Sequence, residues 1–74
     1  MAKITLENVH DVVTYHAPDA EQLIHYGVIR ERAEAFISSI LLHTPECADQ
    51  TAAIRKVREA MMTANAAIAL KGLV

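Results

Sequence analysis

Hydrophobic residues recur every three or four positions in the middle of the chain, which is the spacing of an amphipathic helix. Asp19 opens this segment as a capping residue, and Gln22 three positions later completes the spacing of a capping box. Thr44 is biased away from helical backbone because Pro45 follows it, so the pattern predicts one helix over residues 19–44 that ends near His43. Its apolar face consists of Leu23, Tyr26, Ile29, Ala33, Phe36, Ile37, Ile40 and Leu41.

A second apolar segment has the spacing of a coiled-coil seam, with a row of alanines beside it. This segment predicts a helix over residues 49–72, which starts near Asp49 as its cap and stops at Gly72, a residue suited to the C′ position. One partner helix covers only one seam, so we expect the alanine row to contact another subunit. The seam consists of Ile54, Val57, Met61, Ala64 and Ile68, and the alanine row of Ala53, Ala60 and Ala67.

The connection between these two segments is short, which forces the helices to run antiparallel as a hairpin. The N-terminal arm, residues 1–18, fits neither the helical nor the strand period, so a short helix and an extended strap both remain open. Neither a linker nor a repeat interrupts the sequence. We therefore predict one all-α domain over residues 1–74, an antiparallel two-helix hairpin with a short N-terminal arm or helix.

The composition adds two expectations. The chain has 74 residues, of which 53% are hydrophobic but only 4% aromatic, so a single copy buries little surface and we expect a homo-oligomer. Cys47 is the only cysteine, which rules out a disulfide within the chain and fits a reducing compartment. No apolar run approaches the roughly 20 residues that span a bilayer. A net charge of −2 argues against binding polymeric DNA or RNA, although a small anionic ligand needs only a few cations.

Residue types that carry catalysis are present without the spacing that catalysis requires. No pair of the histidines lies at the i, i+4 spacing of a helical zinc site, and Cys47 has no identifiable base partner. We therefore predict that the protein is not an enzyme and carries neither a metal nor a cofactor. The histidines are His10, His16, His25 and His43.

A few polar and aromatic side chains allow two interpretations each. Tyr15, at the turn from arm to helix, offers a ring for stacking a base, and Arg30 offers a fork for phosphate. The alternative is a packing tyrosine and a surface Arg30–Glu34 ion pair. Asn65, beside the seam, sets the register or satisfies a ligand, and the basic run at 55–58 is a solvated flank or a binding patch. The residues alone leave small-ligand binding open against an interaction hairpin that binds a protein partner through its alanine row.

Three short stretches of the sequence form a recognisable set. They are Val13-Thr14-Tyr15-His16-Ala17-Pro18, then Tyr26-x-x-Ile29-Arg30-x-x-Ala33, and finally Glu59-Ala60-x-Met62-x-Ala64-Asn65-Ala66-x-Ile68-Ala69. Together they resemble the phage anti-CBASS cyclic-nucleotide sponges, small helical hairpins that include the related Thoeris anti-defence sponges. The resemblance implies a hexamer in the cytoplasm of the infected bacterial host. It also implies that the protein sequesters cyclic nucleotides without hydrolysing them.

The same resemblance implies two binding sites. In the first, between protomers, an aromatic residue of the arm stacks on a base of a cyclic dinucleotide and a cation of the first long helix holds phosphate. Tyr15 matches the aromatic position, His16 lies beside it, and Arg30 stands where relatives often have lysine. A second pocket, where three second helices meet, holds cyclic trinucleotides in some members of the family. The residues implied there are Arg55, Arg58 and Asn65.

Overall fold

A computed structural model describes residues 3–74, so the first two residues of the predicted arm lie outside the described part. It contains three helices, α1 (Val9–Val13), α2 (Ala20–His43) and α3 (Ala48–Ala69), and no strand within residues 3–74. The predicted all-α class is therefore confirmed. Helices α2 and α3 pack side by side and antiparallel, with the start of α2 next to the end of α3.

The start and end of α2 follow directly from local sequence. The Asp19 carboxylate accepts a hydrogen bond from the Gln22 backbone N–H at 2.8 Å, and the Gln22 side chain accepts one from the Asp19 N–H at 3.1 Å. This is the capping box that the sequence predicted. At the other end Thr44 is extended, and its N–H donates to the Ile40 carbonyl at 3.1 Å. The predicted cap and the predicted end near His43 are both confirmed.

The start of α3 differs from the prediction. Cys47, in extended backbone with φ −166°, is the N-cap residue, and its side chain makes no capping hydrogen bond. Asp49, which was predicted to cap, lies inside the first turn instead. The helix begins earlier than predicted because the Gln50 side chain holds the connection between α2 and α3 in place. Its side-chain amide donates to the Thr44 carbonyl at 3.2 Å and to the Thr44 hydroxyl at 3.1 Å.

The end of α3 also differs from the prediction. The helix stops at Ala69 rather than continuing to Gly72, and Lys71 adopts the left-handed conformation with φ 53°. The Gly72 N–H donates to the Ala67 carbonyl and the Lys71 N–H to the Ile68 carbonyl, both at 3.2 Å. These two bonds form a Schellman motif, in which Lys71 occupies the position normally taken by glycine. Gly72, with φ 75°, follows one residue later.

The contact between α2 and α3 is the only packed layer in residues 3–74, and none of these residues is fully buried. All members of the predicted seam of α3 are half-buried against α2, so this seam is confirmed. The half-buried residues of α2 are Gln22, Tyr26, Gly27, Ile29, Ala33, Ile37 and Ile40.

Part of the predicted apolar face of α2 lies outside this contact. Leu23, Phe36 and Leu41 are more than half exposed, because α3 covers a stripe narrower than the apolar face. On the opposite side of α2, Ile24 is 67% exposed and Leu42 79% exposed. The helix is therefore apolar around most of its circumference, which is typical of helices that are enclosed in a larger structure.

The arm contains the short helix that was one of the two conformations left open by the sequence. It turns over residues 6–8, forms α1, and then reaches α2 through residues 15–19 without regular secondary structure, with extended backbone at Thr14 and at Asp19. The Asn8 carboxamide accepts from the Thr5 N–H at 2.8 Å and donates to the Lys3 carbonyl at 3.0 Å, which fixes the turn before α1. None of the three helices described is long and apolar enough to cross a membrane.

Candidate ligand-binding groove

A groove of about 350 Å³ lies where the arm meets the start of α2 and the end of α3. The arm contributes three consecutive residues at its extended turn, α2 contributes one aromatic ring, and the last turns of α3 contribute the opposite wall. The residues that carry its chemistry are Thr14, Tyr15, His16, Tyr26, Met62 and Asn65.

The arm holds its aromatic and imidazole rings in an ordered backbone. Tyr15 is 81% exposed, so its ring is available for stacking on a ligand. The His16 Nε2 lies 2.6 Å from the Asp11 carbonyl oxygen. Because a carbonyl only accepts, Nε2 carries the proton, and in the neutral ring Nδ1 is left as an acceptor. The Thr14 hydroxyl donates to the His10 carbonyl and fixes the residue immediately before Tyr15.

The α3 wall contains a polar atom without a partner. The side-chain carbonyl oxygen of Asn65 is buried and accepts no hydrogen bond within the described part of the chain. Such an oxygen costs about 1–3 kcal/mol relative to one that is hydrogen-bonded. Tyr26 and Met62 make the surroundings of this amide largely apolar. A ligand that offers an N–H or O–H group here would remove that cost once the amide turns toward it.

Of the residues named from the sequence, the fold brings three together. Tyr15 and His16 of the predicted dinucleotide site lie in one groove with Asn65, which the resemblance had implied for the trinucleotide site. Arg30, Arg55 and Arg58 do not line this groove. Arg30 follows Tyr26 by four residues, so it lies on the same face of α2 one turn beyond the groove.

The surface ion pair with Glu34, the alternative interpretation of Arg30, is not formed within residues 3–74. The only ion pair within residues 3–74 joins His25 to Glu21, with 3.8 Å between Nε2 and Oε1. Arg30 and Glu34 are both exposed and are not paired with each other. The guanidinium group therefore remains free for an anion.

Two groove residues were not predicted as site residues. Tyr26 belongs to the predicted apolar face of α2, and Met62 follows the seam residue Met61 of α3, yet both line the groove. Tyr26 carried a weak signal, because it stands four residues before Arg30 in one of the stretches quoted above. Met62 carried a similar signal, because the third of those stretches names it and leaves Met61 unspecified.

A second groove, also of about 350 Å³, lies farther along the hairpin and is lined almost entirely by apolar side chains. Phe36 and Ile40 of α2 face Ala53, Val57 and Ala60 of α3 there. It therefore includes two of the three residues of the alanine row. Its chemistry suits packing against another helix rather than recognising a polar ligand. No cluster of three metal-ligating side chains occurs among residues 3–74.

Comparison with known proteins identifies one relationship. The family model described as "Acb2/Tad1, hairpin domain" matches residues 6–69, which is most of the chain. No curated protein and no solved structure matches the sequence.

Proposed function

Because this chain belongs to the Acb2/Tad1 hairpin family, as its motifs predicted, we propose that it binds cyclic dinucleotides in the groove around Tyr15 and withholds them from bacterial defence. The observation that carries this proposal is the composition of the groove. An exposed aromatic ring, an oriented imidazole and an unsatisfied amide oxygen lie together, without a metal cluster in residues 3–74. These groups suit the recognition of a base.

Each group has a role that follows from its chemistry. The Tyr15 ring stacks on one base, an interaction worth about 1–3 kcal/mol. Arg30, one turn along the same face as Tyr26, binds a phosphate through two parallel N–H groups. His16 contributes its free Nδ1 as an acceptor. These groups hold the ligand by stacking, ion pairing and hydrogen bonding, and we propose that it is sequestered without cleavage, as the family resemblance implies.

We propose further that the protein assembles as a homo-hexamer. The single chain leaves Ile24 and Leu42 largely exposed, and Ala60 and Ala67 of the alanine row are exposed as well. Covering these apolar surfaces with neighbouring chains supplies the buried area that a 74-residue hairpin lacks. Assembly also closes the open side of the groove, so that two protomers grip a ligand with two bases and two phosphates. A preformed site of this kind lowers the cost of ordering.

The proposal extends to a second ligand class and to location. Cyclic trinucleotides bind where three α3 helices meet, with Arg55 as the principal cation and with Arg58 and Asn65 as the other residues implied by the resemblance. The protein acts in the cytoplasm of the infected bacterial host, where those signals are made. Sequestration works by mass action, so the abundance of the protein and its affinity together set the free concentration of the signal.

Calorimetry with a panel of cyclic di- and trinucleotides tests this function. We expect submicromolar binding of at least one cyclic dinucleotide, with no heat from the corresponding linear dinucleotide at the same concentration. The competing function is an interaction hairpin that binds a protein partner through its alanine row. Absence of binding across the whole panel by the assembled protein would contradict the proposal and favour that alternative.

A further inference from the structure

Two arginines lie at the same level of the hairpin on facing helices. The Gln22 side-chain amide donates to the Ile68 carbonyl at 3.0 Å, which sets the register of α2 against α3. Because the helices are antiparallel, each step forward along α2 corresponds to one step back along α3. Arg30 is therefore level with residue 60. Arg58 is two residues from that level, or about 3 Å along the helix axis at 1.5 Å per residue.

Both arginines also lie on the side of the hairpin that contains the Tyr15 groove. Arg30 follows the groove residue Tyr26 by four positions, and Arg58 precedes the groove residue Met62 by four positions. Residues four apart share one face of a helix. Because the helices are antiparallel, both arginines lie beyond the same end of the groove, toward the connection between α2 and α3. Arg30 lies on one wall and Arg58 on the other.

Neither guanidinium group forms an ion pair within residues 3–74. Both arginines are exposed, and the one ion pair within residues 3–74 involves neither of them. Two like charges on facing helices repel each other, and an anion bound between them relieves this repulsion. The pair is therefore suited to an anionic group that lies just beyond the base-binding part of the groove.

We propose that Arg58 is the second phosphate-binding residue of the Tyr15 groove, opposite Arg30. This inference rests on the proposed function and deepens it, because it assigns a further phosphate-binding residue to the same site. It changes the role that the resemblance implied for Arg58, which was contact with a cyclic trinucleotide. Asn65 already lies in the groove, so the register places two of the three residues implied for the trinucleotide site beside the dinucleotide.

A matched pair of substitutions tests the inference. Arg58→Ala removes a charge from the groove side. Arg32→Ala removes the same residue type at the same level of the hairpin, but Arg32 lies two residues and 200° around the helix from Arg30. Calorimetry with cyclic di-AMP and cyclic GMP–AMP at two salt concentrations should show binding weakened about tenfold or more by Arg58→Ala, with a shallower salt dependence. Arg32→Ala should bind within about twofold of the parent.

Further variants separate a binding role from a structural one. Light scattering and helical circular dichroism should be the same for both alanine variants and the parent. If Arg58→Ala does not assemble, Arg58→Gln keeps the side-chain length and serves in its place. Equal dinucleotide affinity in the Arg58 and Arg32 variants would overturn the inference, as would loss of trinucleotide binding alone. A parent protein that binds no cyclic nucleotide would instead overturn the proposed function.

Discussion

At the scale of single residues, the proposed function depends on an exposed tyrosine that contributes little to the fold. Tyr15 is 81% exposed and lies outside the three helices, so its removal should leave the hairpin intact. We expect Tyr15→Ala to lose about 1–3 kcal/mol of cyclic dinucleotide binding because stacking is lost. Tyr15→Phe keeps the ring and should bind nearly as well as the parent. Calorimetry measures both, and a parent-like affinity of Tyr15→Ala would show that the base binds elsewhere.

The second residue-scale prediction concerns Arg30, which has no carboxylate partner within residues 3–74. Arg30→Ala should lose about 1.5–3 kcal/mol of binding free energy, because a charge-assisted hydrogen bond to phosphate is removed. It should also flatten the salt dependence of binding. Arg30→Lys keeps the charge but not the planar fork, so we expect a partial loss. Affinity measured at low and high salt distinguishes the three proteins, and identical affinities would place the phosphate away from Arg30.

At the scale of elements, local signals predicted α2 well and α3 less well. The Asp19–Gln22 capping box and the Thr44–Pro45 stop act within a few residues, so sequence spacing is sufficient to locate them. The ends of α3 depend instead on the Gln50 side chain bonding to Thr44 and on the closing of the last turn around Lys71. These interactions override the capping by Asp49 and the stop at Gly72 that sequence spacing favours.

The groove could be predicted only in part, because its residues come from distant parts of the sequence. The ring of Tyr15 and its neighbour His16 were identified from one continuous stretch. Asn65 lies 50 positions away from Tyr15 and reaches the same groove through the register of the hairpin. No periodicity within either helix reports that register, because it depends on which turns of α2 and α3 pack together. Only the structure, likewise, could show that Arg30 and Glu34 do not form an ion pair.

The end of α3 gives a prediction at this scale. Lys71 adopts a left-handed conformation that glycine adopts without a steric penalty. Lys71→Gly should therefore stabilise the folded protein by about 1 kcal/mol, even though it removes a side chain. Gly72→Ala is the control, since Gly72 also has a positive φ and the substitution should destabilise. Thermal or urea unfolding measures both, and a destabilised Lys71→Gly protein would contradict the Schellman geometry.

At the scale of the whole molecule, the exposed apolar surface supports the proposed assembly. No residue within 3–74 is fully buried, while α2 is apolar on faces that α3 does not cover. We expect light scattering at micromolar concentration to give about six times the chain mass of 8.1 kDa. Ile24→Glu places a charge on the outer face of α2 and should shift the protein to smaller species. A parent protein that scatters as a single chain would exclude a site built between protomers.

Sequestration is the central claim, and recovery of the ligand tests it most directly. The purified protein is incubated with the cyclic dinucleotide that it binds most tightly, passed through a filter that retains the assembly, and then denatured. We predict that the nucleotide is retained with the protein and is released on denaturation chemically unchanged. A nucleotide that passes through the filter, or one that is released as a linear product, would contradict a protein that binds and withholds its ligand.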